Sequence, residues 1–150
     1  MQLPLLLRRG MTKEELSSIY YIRQEIKMWE EQLELLTCKA QGKAMRLTGM
    51  PFAPSGGTGD QMADIAVRKV DITELIERKK ERLQQEQKEI IEWIMTIDDT
   101  FIRQIMLYRH VRCYTWQEVA ESIGRITPES IRKQHDRYLK KNCESEEEDI

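Results

Sequence analysis

The sequence predicts an all-α protein: a long antiparallel coiled-coil helical hairpin, then a three-helix unit of the helix-turn-helix type. Three observations carry this expectation. Apolar residues recur at alternating steps of three and four through two long stretches. A Gly/Pro cluster separates those stretches. From residue 101 the pattern shortens into segments bounded by capping residues, and the charge turns positive.

The first long segment opens at Thr12, with Glu15 three positions on to complete a capping box. Its seam is Leu16, Ile19, Ile22, Ile26, Trp29, Leu33 and Leu36, uninterrupted by Pro or Gly before Gly42. Residues 49–59 then hold four of the seven glycines and two of the four prolines, which predicts a connecting loop over about 46–60. Asp60 is positioned to cap the next helix. In that helix Met62, Ile65, Ile72, Ile76, Leu83, Ile90, Trp93 and Ile97 share one register, interrupted by Lys69, Lys79 and Glu86. Polar seam positions cost stability and fix partner and register. Two helices of similar length joined by one loop fold back on each other. A lone pair buries one stripe only, so homo-oligomerisation is expected, with a dimer as the first guess.

Beyond the hairpin, Asp98-Asp99-Thr100 offers a cap for a helix from Phe101 to about Arg112. Thr115 is expected to cap Trp116–Ile123, with Glu118 as its reciprocal partner, and Gly124 to end that helix. Thr127-Pro128 reads as an N-cap and first helical residue of a helix running to about Lys141. Ala120 permits close approach of the next helix, and Val119, Ile123 and Ile131 are expected to form the wedge between the two. The turn Arg125-Ile126-Thr127 places Ile131 one residue later than in the tightest version of such a motif. The domain limits that follow are 1–98 for the hairpin, 99–142 for the helix-turn-helix unit and 143–150 for an acidic, disordered tail.

Charge divides unevenly over the chain. Residues 101–141 carry nine Lys/Arg against four acids, whereas the tail from Glu144 to Asp149 carries five acids, inside a total of −2. A basic module in a mildly acidic chain is the electrostatic signature of a polyanion binder. On the last helix Ile131, Gln134 or His135, Tyr138 and Leu139 are expected inward. Ser130, Arg132 and Lys133 are the candidates for base edges, Arg132 as a bidentate guanine contact. Arg125, Arg137, Lys140 and Lys141 are the candidates for phosphates, and Thr127, Glu129 and Asp136 complete the candidate double-stranded DNA surface.

Other chemistries find little support. Cys38, Cys113 and Cys143 are odd in number and far apart, with no CxxC spacing, which points away from a disulfide framework or a zinc site and towards a reducing cytoplasm. No apolar stretch reaches a membrane span, and Leu3–Leu7 is too short for a signal-peptide core and is expected to pack on the hairpin base or to form a frayed end. The Ser55–Gly59 run lacks the Gly-Lys-Ser/Thr ending of a phosphate loop. His110 and His135 lie in no recognisable nucleophile motif, and His135 is expected as a satisfied core histidine. Neither a catalytic centre nor a cofactor is expected.

Tyr20-Tyr21, Gly49-Met50-Pro51, Ile97-Asp98-Asp99, Arg103-Gln104-Ile105, Tyr108-Arg109-His110, Thr115-Trp116 and Ser130-Ile131-Arg132 together resemble a family of small proteins from phages and prophages of Gram-positive bacteria. These are the ArpU- or RinA-like phage transcriptional regulators, whose C-terminal unit is similar to promoter-binding region 4 of sigma-70 factors. The resemblance spans roughly 16–141 and implies DNA binding and control of late phage genes; the hairpin is expected to oligomerise or to touch host RNA polymerase or another protein. A DNA-packaging recognition subunit like a phage small terminase, a complete sigma factor and a structural adaptor are the competing expectations.

Overall fold

The computed structural model describes residues 10–48 and 58–144, the side chains of 42–48, 58–59 and 143–144 excepted. Among the described residues every regular element is helical: α1 (Lys13–Thr48), α2 (Thr58–Met95), α3 (Thr100–Met106), α4 (Trp116–Ile123) and α5 (Pro128–Glu144), with one π-helical turn over Leu107–Val111 directly after α3. No described helix is long and apolar enough to cross a membrane. The expected packing of Leu3–Leu7, most of the connecting loop and nearly all of the acidic tail lie outside the described residues.

Local chemistry sets the helix ends. Thr12 and Glu15 form a reciprocal capping box, the Glu15 N–H donating to Thr12 Oγ1 at 3.2 Å and the Thr12 N–H to Glu15 Oε2 at 3.3 Å. Asp99 accepts from the N–H groups of Phe101 and Ile102. Thr115 and Glu118 form a second box, and Thr127 accepts from the Ser130 N–H. The start of α2 differs from expectation: the helix begins at Thr58, so Asp60 sits inside its first turn. An acid there still favours the helix by lying near its positive end.

The chain forms two compact units, and these do not divide it at 98/99. One combines the residues up to Tyr21 with those from Leu83 onward; the other runs from Ile22 to Arg82. The core of the first explains this division. Met11 just before α1, Leu16 and Ile19 from its first turns, Ile90, Trp93 and Ile94 from the end of α2 and Ile97 just beyond it are buried in one cluster with Ile102, Ile105, Met106, Val119, Ala120, Ile131 and Leu139. The three short elements are too small to bury their own apolar faces. The ends of the long helices supply the missing surface, at about 1.5–3 kcal/mol for each fully buried aliphatic side chain.

In the second unit Ile22, Ile26 and Leu36 of α1 and Ile65 and Ile76 of α2 are buried. Lys79 Nζ meets Glu25 at 3.2 Å, and Lys80 meets Glu30 at 3.7 Å. The interrupting Lys79 is thus half-buried and paired, and its hydrogen bond holds the Glu25 carboxyl below its usual range. Met62, expected in the seam, is instead exposed, as are Met28, Leu35, Val67 and Val70.

One further difference lies in the segment after α3. The sequence predicts continuous α-helix to Arg112, but the ladder widens after Met106, with the Arg112 N–H reaching Leu107 O at 3.1 Å and the Tyr114 N–H reaching Tyr108 O at 3.0 Å. Such a widened turn inserts one extra residue and rotates the side chains beyond it. Cys113 follows at φ 57°, in the left-handed region.

Candidate nucleic-acid interface

Helix α5 has two unlike faces. Ile131, His135 and Leu139 are buried and Gln134 and Tyr138 half-buried, so the inward set expected from spacing is the set that packs against α3 and α4. Val119 and Ala120 are buried opposite, with Ile123 half-buried. The solvent side carries the cations: Arg132, Lys133, Arg137, Lys140 and Lys141 are all exposed.

The connection into α5 is conformationally demanding. Gly124 has φ 80° and ψ 154°, a backbone state open essentially to glycine alone. Arg125 follows at φ 61°, an uncommon left-handed state for a residue with a Cβ. Two consecutive positive-φ residues turn the chain sharply and leave the Arg125 side chain exposed.

The ten candidate residues separate into groups. Ser130, Lys133, Arg137 and Lys141 line a shallow groove with Asp99, Ile102, Gln134 and Tyr138. Burial, together with the nearby charges of Asp98 and Asp99, keeps the Tyr138 phenol protonated above its ordinary range. Arg132 and Asp136 lie on the opposite flank of α5, with Arg132 Nε 3.9 Å from the Asp136 carboxylate. Glu129, Arg125 and Lys140 are exposed, while Thr127 is engaged as the α5 cap. Asp136 is committed inward and to its neighbours: its carboxylate accepts from His135 Nδ1 at 3.0 Å and lies 3.7 Å from Lys13 Nζ. Partial burial pushes that carboxyl up, but His135, Lys13 and Arg132 outweigh it and hold it below the usual carboxylate range.

On the Arg132 flank the fold assembles residues that spacing alone could not connect. Lys13, Ser17, Tyr20 and Tyr21 from α1, Arg109 and Cys113 around the π-helical turn, Trp116 of α4 and Arg132 and Asp136 of α5 line one cleft. The Arg109 guanidinium lies 4.4 Å from the Trp116 ring centroid and donates from Nη1 to Tyr114 O at 2.9 Å. Burial lowers its proton affinity. Tyr108 and Tyr114 stack at 5.6 Å behind it. Beneath the cleft His110 and His135 meet at 2.7 Å between their Nε2 atoms, and Trp116 meets the His135 ring edge-on at 4.8 Å. Both histidines are buried core residues, as expected for His135. Sequence reasoning missed this cleft. Its one legible signal was Tyr20-Tyr21, adjacent aromatics of which neither falls on the Leu16–Ile19–Ile22 stripe. Among the described residues no group of three or more His, Cys, Asp or Glu could hold a metal ion.

No protein-family model, no curated protein and no solved structure matches the chain.

Proposed function

We propose that this protein is a non-enzymatic, sequence-specific binder of double-stranded DNA, in which α4, the Gly124–Thr127 turn and α5 act as a helix-turn-helix. The observation that carries this reading is the division of α5. Ile131, His135 and Leu139 lock one face into a core, leaving Arg132, Lys133, Arg137, Lys140 and Lys141 exposed on the other, with Arg125 exposed at the entry. A rigid, cationic helix surface is what insertion into the major groove requires, early residues reaching base edges and later ones phosphates. The long helices α1 and α2 serve as an antiparallel coiled-coil hairpin that joins copies or contacts host RNA polymerase. The setting that fits the sequence resemblance is a phage or prophage transcriptional regulator of late genes, working in the cytoplasm.

Selection of bound sites from a random duplex pool, followed by binding across salt concentrations, tests the reading. Enrichment of a defined site is expected, with half-sites about 34 Å apart or multiples of that for a dimer. Affinity should fall steeply as salt rises, because phosphate contacts release counterions. A protein that ignores duplex DNA at low ionic strength sinks the proposal.

A further inference from the structure

The cleft on the Arg132 flank has a composition that duplex binding by α5 does not explain. Lys13, Arg109 and Arg132 face it, and Asp136 is the one carboxylate among its lining residues. Asp136 is shared among Lys13, Arg132 and His135, at 3.7, 3.9 and 3.0 Å. Arg109 is drawn into the cleft wall by the Tyr114 carbonyl and the Trp116 ring, neither of which neutralises it. Three cations held against one carboxylate leave the cleft positively charged, and partial enclosure strengthens its attraction for an anion relative to open solvent.

The aromatic lining narrows the choice of anion. Tyr20 and Tyr21 are 48% and 67% exposed, although aromatic rings gain most from burial. They meet each other edge-on at 5.4 Å beside the cationic wall. An exposed ring next to clustered guanidinium and ammonium groups matches a ligand with a planar base at one end and a phosphate at the other. The cleft encloses about 470 Å³, within the range of small-molecule sites. We infer that it is a nucleoside-phosphate site: Arg132, Arg109 and Lys13 take the phosphate, and Tyr21, with Tyr20, stacks on the base. The ligand is either a free nucleotide or an unpaired nucleotide of a DNA strand; both present the same chemistry. The site shares Arg132 with the proposed duplex face of α5 and draws Lys13, Arg109, Tyr20 and Tyr21 from outside it.

The test is equilibrium binding of dAMP, deoxyadenosine and inorganic phosphate to the full chain, repeated with Tyr21→Ala and Arg132→Gln. Both side chains are largely exposed, so both variants should fold, which circular dichroism checks. Saturable dAMP binding is expected, with deoxyadenosine and phosphate each at least ~10-fold weaker, the scale of one base stack or one charge-assisted contact. Tyr21→Ala should weaken dAMP by a similar factor while leaving phosphate unchanged, and Arg132→Gln should weaken dAMP and phosphate together. Competition separates the two sources: displacement of dAMP by a duplex with a single-stranded overhang but not by a blunt duplex assigns the site to an unpaired strand, and displacement by neither assigns it to the free nucleotide. No saturation up to about 10 mM dAMP, or dAMP affinity indifferent to both substitutions, overturns the inference. A protein that binds dAMP yet ignores duplex DNA would lose the reading of α5 and keep this one.

Discussion

His110 and His135 face each other in the core of the first unit with their Nε2 atoms 2.7 Å apart. Only one proton fits between two nitrogens at that distance, so the pair cannot take up both of its possible charges without separating. Burial is the main cause of a depressed His110, pushed down to about 3, with the neighbouring His135 and Arg109 adding to it. His135 is also lowered, again chiefly by burial, although Asp136 opposes the shift while Lys13 and Arg109 support it.

Acid stability should follow from that pair. The unfolded chain protonates its histidines near pH 6.5, whereas the folded chain resists until far lower pH, so the unfolded state binds more protons between the two. Stability is therefore full above about pH 6.5 and falls as pH drops towards 3, by a few kcal/mol. Urea midpoints at pH 7, 6, 5 and 4 measure it, and His110→Leu should flatten the slope above pH 5, where carboxylates contribute least. An unchanged slope in that variant would show that the pair is not responsible.

Gly124→Ala should destabilise the fold by ~1–3 kcal/mol through backbone strain alone. A Cβ placed there meets no atom within 4 Å, so steric clash predicts no loss. Chemical denaturation distinguishes the two accounts.

Ile131→Ala should cost ~2–5 kcal/mol, because Ile131 is fully buried between α5 and its supports. Arg132→Ala, next in sequence but exposed, should fall within about 0.5 kcal/mol of wild type. A thermal melt of both variants reads the contrast directly.

Thr115→Ala removes the acceptor for the Glu118 N–H and dismantles the capping box of an eight-residue helix. A loss of about 1 kcal/mol is expected. Hydrogen exchange should show faster opening of α4 than of α3.

On the proposed interface, Lys133→Gln with Arg137→Gln removes two exposed cations that line the same groove. Binding to the selected duplex should weaken, and the slope of log affinity against log salt should shrink by about 2. Those positions are exposed, so stability should stay within about 0.5 kcal/mol. A salt slope equal to wild type would remove both residues from the interface.

Much of this architecture is written locally. Thr12, Asp99, Thr115 and Thr127 each cap the helix that their spacing implied, because a cap needs only neighbours three residues away. The inward set of α5 follows from 3.6-residue periodicity. Seam membership was less secure at its far end: Met62 fits the register yet lies exposed, since a register states which face a residue occupies and not whether anything covers it.

By itself the sequence determined an all-helical chain, its helix boundaries to within a few residues and the cationic outer face of α5, all products of short-range periodicity and capping. Tertiary structure alone decided three things. It placed the ends of α1 and α2 in the core of α3–α5, widened the turn at Leu107–Val111, and joined Tyr20, Tyr21, Arg109, Trp116 and Arg132 around one cleft. These depend on contacts between residues far apart in the chain, where the burial of apolar surface from several helices at once, rather than any local preference, fixes which side chains meet.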